Sequence, residues 1–283
     1  MPAPDLGRLM RKAIRHRYTL PALSGLLLLC LGAAAQAVQE SKEGRWPQIK
    51  EALLGDRVVR DGTDMIALST PTRALDAAVV PIDISTKFEQ TRGHHISKLY
   101  LVIDDNPSPV AAVFDFPGDR DWKTISMRVR VNAYTHVRVL AELNNGDTFM
   151  TANFVKASGG CSAPALKDPA AAAAQLGKMK LLLAEDDTDD LLLAKLMVRH
   201  PNSSGLQFDQ ISRNFIPADY VRSIEVSYKG APLFKVETDI SISENPTIAF
   251  GFAPDSGDGE FDVQVKDTQG RQFEQKFPSG PVR

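Results

Sequence analysis

The feature that most constrains the fold is a series of short apolar runs, separated by turn sequences, that extends from Asp64 almost to the end of the chain. In the segment 124–131 the apolar residues occupy alternate positions, so one strand face would be buried while the other carries charge. Seven such runs fall within about one hundred residues, which predicts an antiparallel β-sandwich. The predicted strands are 65–69, 79–85, 98–103, 110–116, 124–131, 136–143 and 148–156.

A second β-rich unit begins near Met179 and has the same pattern, so it predicts another antiparallel sandwich. Its predicted strands are 179–184, 191–198, 223–228, 233–238, 247–252, 259–266 and 272–277. The alanine-rich segment 162–177 separates the two units, either as a short helix capped by Asp168 or as a flexible linker. A short helix is also predicted from Trp46 to Gly55, where it would close one end of a sheet.

The N-terminus has the three parts of a secretory signal. Basic residues between Arg8 and Arg17 precede the apolar run Leu20 to Leu31, and Ala35 and Ala37 provide the small residues of a cleavage site. The apolar run is too short for a membrane-spanning helix, which needs roughly 20 residues. We therefore expect residues 1–37 to be a signal peptide and the protein to be periplasmic, without stable insertion in the membrane.

Removal of this segment leaves 28 basic and 34 acidic residues, a net charge of −6. A concentrated basic surface is what phosphate binding requires, so the charge disfavours nucleic acid as a partner. Cys30 leaves with the signal, and Cys161 is then the one cysteine of the mature chain. An unpaired cysteine in an oxidising compartment indicates a reactive thiol or an intermolecular disulfide, so a dimer linked through Cys161 is a further expectation.

Cys161 follows two glycines and lies between the two β-rich units. Glycine has no Cβ and allows a wide range of backbone conformations, so Gly159 and Gly160 predict a flexible neck that presents an exposed thiol. The alternative is a small buried cysteine that fills space, which is the commoner state of a free cysteine.

Other candidate sites are weak. His94 and His95 are adjacent but have no ligand at metal-binding spacing, and nothing in the spacing ties His136 or His200 to Cys161. The acidic run 185–190 lacks the turn glycine and closing glutamate of a calcium loop and is interpreted as a hairpin turn. We therefore expect no metal, no cofactor and no catalysis by this chain alone.

The two units resemble the Y and Z subunits of the bacterial thiosulfate-oxidising (Sox) carrier, in that order. The first resembles Y through 78–82, 105–111 and Gly159-Gly160-Cys161. The second resembles Z through 200–201, 205–206, 216–221, 242–246 and 267–270. The resemblance is closest to the fused SoxYZ-like carriers associated with quinoprotein alcohol dehydrogenases. It implies Ig-like folds, with a Y-like domain at 38–161, a linker at 162–177 and a Z-like domain at 178–283.

The resemblance also implies a carrier of sulfur oxidation whose cysteine bears covalently attached intermediates while partner enzymes act on them. Cys161 is the position to which that role transfers. Ser162 and Ala163 stand where the Sox arm has two further glycines, and the chain continues, so the thiol is tethered on both sides. The expected partners are Sox-type enzymes or a quinoprotein dehydrogenase. The alternative is a non-covalent assembly partner of such a dehydrogenase, in which Cys161 is incidental.

Overall fold

The computed structural model describes residues 44–118, 122–164, 169–186, 191–254 and 256–282. The predicted signal peptide, the Asp168 cap and most of the acidic turn lie outside these ranges. Within them, no helix is long and apolar enough to cross a membrane.

The described chain is mostly β-strand with two short helices, which confirms the all-β fold class. The first half contains the helix α1 (Trp46–Leu54) and strands β1 (Val59–Asp61), β2 (Ile66–Ser69), β3 (Val80–Thr86), β4 (Ile96–Ile103), β5 (Val110–Asp115), β6 (Trp122–Val129), β7 (Thr135–Leu143) and β8 (Thr148–Val155). One 3₁₀ turn (Gly160–Ser162) and the helix α2 (Pro169–Gln175) follow. The second half contains β9 (Met179–Asp186), β10 (Leu191–Val198), β11 (Phe208–Asp209), β12 (Asn214–Phe215), β13 (Val221–Tyr228), β14 (Ala231–Thr238), β15 (Thr247–Phe252), β16 (Gly257–Asp267) and β17 (Gln272–Val282).

Two large sheets run through both halves of the chain. One has nine strands in the order β1-β8-β7-β4-β5-β14-β13-β16-β17, and the other has six in the order β2-β3-β6-β15-β10-β9. β11 and β12 form a separate small hairpin.

The two sheets are continuous because strands of different halves pair at two places. β5 pairs antiparallel with β14, and β6 pairs antiparallel with β15. Each pairing satisfies backbone groups that would otherwise form an exposed sheet edge. The sequence predicted two sandwiches joined only by a linker, whereas the structure joins them edge to edge, and the chain from Gly44 onward forms one compact unit.

The inward faces of both sheets share one hydrophobic core that includes residues of both halves, such as Leu99, Phe114, Phe234 and Phe250. Helix α1 does not close the end of a sheet as expected. Its buried residues pack instead against Tyr100, Val102 and Leu140, which form a second cluster. Since Leu99 and Leu101 of the same strand belong to the main core, α1 covers the opposite face of the nine-stranded sheet.

Candidate functional site

Cys161 lies at the junction of the two halves, in the segment 157–164 that follows β8. We refer to these residues as the Cys161 segment. Its backbone is fixed to the first half by two hydrogen bonds, from Gly159 N–H to Asn132 O at 2.9 Å and from Gly160 N–H to Val131 O at 3.0 Å. The chain then makes the 3₁₀ turn that contains Cys161.

The expected exposure of the thiol is wrong, whereas the flexible neck at Gly159 and Gly160 stays a prediction. Cys161 is fully buried, with 0% of its surface exposed. Gly159 has φ +80°, a left-handed conformation that glycine adopts without strain. A Cβ on Gly160 would overlap the carbonyl oxygen of Ala77. The glycines therefore allow a sharp turn and a close backbone approach. Either requirement explains the Gly-Gly pair without chain mobility.

The second half holds the Cys161 segment from the other side. The Ser204 hydroxyl donates a hydrogen bond of 2.5 Å to the carbonyl oxygen of Cys161. Gln207 Nε2 donates to the carbonyl oxygen of Ala163 at 3.0 Å, and Gln207 Oε1 accepts from Ser204 N–H at 3.2 Å. Ser204 and Gln207 thus form a small clamp whose contacts are all on the backbone of the segment.

The surroundings of the thiol favour its neutral form. Burial raises the pKa of the Cys161 thiol to about 11, although the nearby positive charge of Arg130 acts in the opposite direction. A thiolate is the nucleophilic form of cysteine, so the buried thiol is unreactive in this arrangement.

Arg130 directly follows β6 and is buried, with 2% of its surface exposed. Its Nη1 group donates to the carbonyl oxygens of Ile240 at 3.0 Å and Ile242 at 2.5 Å, both in the second half. Burial lowers the pKa of Arg130, since a desolvated charge is disfavoured. The sequence pattern predicted that strand 124–131 would place Arg130 on a charged outer face, but the second half covers it.

Asn106 connects the same elements from the turn after β4. Its Nδ2 donates to Arg130 O and to Ser241 Oγ, each at 2.8 Å, and its Oδ1 accepts from Asn132 N–H at 2.8 Å. Asn106 is completely buried, so these bonds satisfy an amide that would otherwise be costly to desolvate. The motif 105–111 therefore joins the halves beside the Cys161 segment.

A second polar network, around His200, lies in the bend 200–204 that carries Ser204. His200 Nδ1 accepts from Asn202 N–H at 3.0 Å, so the ring proton lies on Nε2, which faces Asp267 Oδ2 at 3.4 Å. Burial lowers the pKa of His200, although the carboxylates of Asp219 and Asp267 partly counter this effect. Arg271 donates to both carboxylates, at 2.5 Å in each case.

His200, Asp219 and Asp267 are the one group in the described chain with metal-ligand atoms this close together, within 4.8 Å. Sequence reasoning did not predict this cluster, because its members come from three separate segments. Arg271 forms an ion pair with each of the two carboxylates, so the arrangement is interpreted as an ion-pair network. It orders the bend 200–204, and through that bend it positions Ser204.

The remaining histidines lie in other elements. His94 and His95 belong to the turn before β4, and His136 lies in β7, where its ring packs on Phe154. The side chains that bond the Cys161 segment or act on its thiol are instead those of Arg130, Ser204 and Gln207. The sequence gives one indication of Ser204 and Gln207, because the Z-like segments 200–201 and 205–206 lie beside them. It gives no physical role for these segments.

These observations define the protein as a pair of Ig-like β-sandwich domains in one chain, with a cysteine at their junction. A family model for sulfur oxidation protein SoxY matches residues 50–161, and one for sulphur oxidation protein SoxZ matches residues 179–278. The chain belongs to the SoxYZ family as a fused SoxYZ-like protein. We refer below to its SoxY half and its SoxZ half.

Three solved structures are similar to parts of this chain at low sequence identity. The sulfur carrier protein SoxY from Chlorobium limicola f thiosulfatophilum is 20% identical over 40% of this chain and 91% of its own, with a TM-score of 0.32. A superoxide reductase (neelaredoxin) from Ignicoccus hospitalis is 10% identical over 39% of this chain and 90% of its own, with a TM-score of 0.30. Fibronectin(III)-like modules of Clostridium thermocellum CbhA are 10% identical over 76% and 92%, with a TM-score of 0.24. No curated protein matches the chain significantly.

Proposed function

We propose that this chain is a carrier protein in which the thiol of Cys161 holds a covalently attached, sulfur-containing intermediate for partner enzymes. The observation that carries the proposal is the position of Cys161. The match to the SoxY family ends at this residue, and the structure places the thiol where the SoxY and SoxZ halves meet.

The buried thiol implies two arrangements of the Cys161 segment. In the closed arrangement described here, the thiol is neutral and inaccessible. In an open arrangement, residues 157–164 would leave the junction and present the thiol to an enzyme. Opening would break the two hydrogen bonds of the SoxZ clamp and the two backbone bonds from Gly159 and Gly160, each worth about 0.5–1.5 kcal/mol net. The total is a few kcal/mol, a cost that binding of a partner enzyme could offset. Because the segment is tethered at both ends, it would enter a wide cleft and not a narrow channel.

Loading of the thiol has a defined electron balance. If a thiosulfate-like anion joins the thiol directly, an S–S bond forms while one proton and two electrons are released, so the partner must be an electron-accepting enzyme. If the donor sulfur already carries a leaving group, the thiolate displaces that group with its electron pair and no oxidant is needed. In both cases the catalytic groups belong to the partner, and this chain binds and presents the cargo.

The setting is part of the proposal. The N-terminal signal would direct the protein to the periplasm, where Sox-type enzymes or a quinoprotein dehydrogenase would be its partners. Fusion keeps the two halves together in a compartment that would dilute separate subunits. A disulfide-linked dimer through Cys161 would also require the open arrangement, since the closed one buries the sulfur.

The test is the intact mass of the mature protein, purified from its native periplasm without reductant and with free thiols trapped by alkylation. The proposal predicts an added mass on Cys161 that dithiothreitol removes, and the size of that mass identifies the cargo. A fully alkylated, unmodified thiol while the pathway is active would contradict it.

A second function is favoured by the burial of the thiol. The protein would then assist the assembly of a periplasmic quinoprotein dehydrogenase without covalent chemistry, and Cys161 would be a packing residue. The variant Cys161→Ser distinguishes the carrier function from the assembly function, because it removes the thiol but leaves a side chain of similar size. Loss of function in cells, with fold and partner binding intact, supports the carrier. Wild-type behaviour supports assembly.

A further inference from the structure

A surface pocket of about 730 Å³ lies beside the Cys161 segment, between the two halves. Ala163 and Pro164 form one part of its wall. Three arginines from different elements line it as well: Arg128 in β6, Arg130 just after β6, and Arg199 just after β10. Arg128 and Arg199 are exposed, whereas Arg130 is buried.

Arg130 is a buried cation, and no carboxylate in the described part of the chain hydrogen-bonds it. Among the residues that the structure describes, the acceptors of its Nη1 group are the carbonyl oxygens of Ile240 and Ile242. Within the described residues, its Nε and Nη2 nitrogens have no hydrogen-bond partner, and because neither is among the fully buried atoms of this kind, both keep a small contact with solvent. Buried charges are normally paired, because taking a charge out of water without a partner costs several kcal/mol. The SoxZ half covers Arg130 and leaves part of its guanidinium without an acceptor.

The two carboxylates that line the pocket do not accept a hydrogen bond from the Arg130 guanidinium. Asp76 Oδ1 accepts from the backbone N–H of Ala78, and Glu244 Oε1 accepts from Asn245 Nδ2. Glu244 attracts the charge of Arg130 without a hydrogen bond to it. The pocket lining therefore contains three guanidinium groups and two carboxylates, and it carries one net positive charge beside the Cys161 segment. Arg130 is the one of the three whose charge acts on the thiol.

From this geometry we infer that the pocket is an anion site, in which Arg130 binds the oxyanion end of a group attached to Cys161. Arg128 and Arg199 would contribute at the rim. A guanidinium matches a sulfonate or thiosulfonate well, because its planar N–H groups bond two oxygens at once. This inference rests on the proposed carrier function and deepens it by naming the residue that recognises the cargo.

The site also explains how a closed carrier could tolerate its cargo. A thiosulfonate on Cys161 adds a negative charge to a region where the thiol itself is neutral. Without Arg130 that charge would be desolvated and would force the segment open. With Arg130 it is paired, so the loaded segment stays closed until a partner enzyme binds.

The experiment compares two chemical adducts of the purified protein. Tetrathionate places a negative group on the cysteine: the thiolate attacks a central sulfur, an S–S bond forms, the central S–S bond of the reagent breaks, and thiosulfate leaves with the electron pair. Methyl methanethiosulfonate places a neutral methylthio group there, as methanesulfinate leaves. For both adducts the protein is first partially unfolded, which exposes the thiol, and then treated with the reagent. It is refolded afterwards in the absence of reductant. Urea unfolding is then measured for each adduct of wild type and of Arg130→Gln.

In wild type, the anionic adduct is expected to be more stable than the neutral one, with about a tenfold larger folding constant, or about 1.4 kcal/mol. Arg130→Gln should abolish this difference. The matched control Arg222→Gln removes an arginine that does not line the pocket and should preserve it. An equal difference in wild type and Arg130→Gln would overturn the inference.

If Arg130→Gln does not fold, Arg199→Gln provides the second test, since this exposed residue lines the same pocket. It should reduce the advantage of the anionic adduct by about twofold, and no reduction would overturn the inference. Because the adducts are made chemically, the outcome does not depend on the cellular role. Absence of cargo on Cys161 in cells would contradict the proposed function. Equal stability of the anionic and the neutral adduct in wild type would contradict only the Arg130 site.

Discussion

Ser204 of the SoxZ half donates a hydrogen bond of 2.5 Å to the carbonyl oxygen of Cys161, the last residue of the SoxY match. This contact makes the SoxZ half part of the cysteine site. The polar network around His200 orders the bend that carries Ser204, so a SoxZ residue far from the thiol can influence its exposure. Access to Cys161 is therefore controlled jointly by both halves.

Removal of the clamp should expose the thiol. Ser204→Ala eliminates one hydrogen bond to the segment, worth about 0.5–1.5 kcal/mol, so the open fraction should rise about two- to twelvefold. The measurement is the rate of Cys161 labelling by iodoacetamide. Ser212→Ala is the control, since the Ser212 hydroxyl bonds Asp209 on the exposed hairpin and not the segment. Equal labelling of both variants would show that the clamp does not hold the segment.

The pH dependence of labelling should report the burial of the thiol. The closed thiol has a pKa near 11, above the ordinary value of about 8.5. The closed arrangement is thus fully stable below about pH 8.5 and loses stability as the pH rises towards 11. In native protein the labelling rate should reach its midpoint above pH 8.5, and in urea it should return to about 8.5. A native midpoint at or below 8.5 would contradict a closed thiol.

Gly160→Ala should loosen the Cys161 segment. The added Cβ would overlap Ala77 O, and overpacking of this kind costs about 1–3 kcal/mol. Urea unfolding measures the loss, and faster iodoacetamide labelling should accompany it. Gly93→Ala is the control, because a Cβ at that position meets nothing within 4 Å and its backbone is not left-handed. If Gly160→Ala is as stable as Gly93→Ala, the close approach is absent in solution.

Asn106→Ala should destabilise the junction of the two halves. The change leaves the groups of Arg130, Ser241 and Asn132 without their amide partner in a buried site, at a cost above about 2 kcal/mol. Asn145→Ala, in the exposed turn after β7, should cost much less. Urea unfolding compares the two, and equal costs would indicate that Asn106 does not support the junction.

His200 should titrate below the ordinary histidine pKa of about 6.5. Burial lowers its pKa, so the folded state resists protonation that the unfolded chain accepts. Its contribution to stability is therefore complete above about pH 6.5 and is lost as the pH falls below it. Proton NMR of the imidazole signals gives the pKa directly. A value above that of the urea-unfolded protein would show that Asp219 and Asp267 outweigh desolvation.

Much of the fold follows from local sequence. The predicted strands 79–85, 136–143, 191–198 and 247–252 agree with the observed β3, β7, β10 and β15 to within one residue. Strand periodicity depends on which side chains alternate, and that is visible in a single segment. β1, with three residues and only partial burial, is too short to show the pattern and was not predicted.

Other features depend on contacts between distant segments. The alternation at 124–131 placed both Arg128 and Arg130 on a charged outer face, and the structure exposes the first and buries the second. A strand's own pattern does not show what covers its end, and here residues 240–242 of the SoxZ half do so. In the same way, Gly159-Gly160 suggested mobility, because a sequence does not show whether another backbone lies against a glycine.

The sequence by itself determined that this protein is all-β, that it has two units of the SoxY and SoxZ kind, and that Cys161 lies between them. These properties reside in local periodicity and in short motifs. Only the tertiary structure decided that the two units share continuous sheets, that the thiol is buried, and that Arg130 lies beside it. Each of these depends on which strand edges pair and which polar groups are desolvated, and such long-range contacts are set by the whole chain.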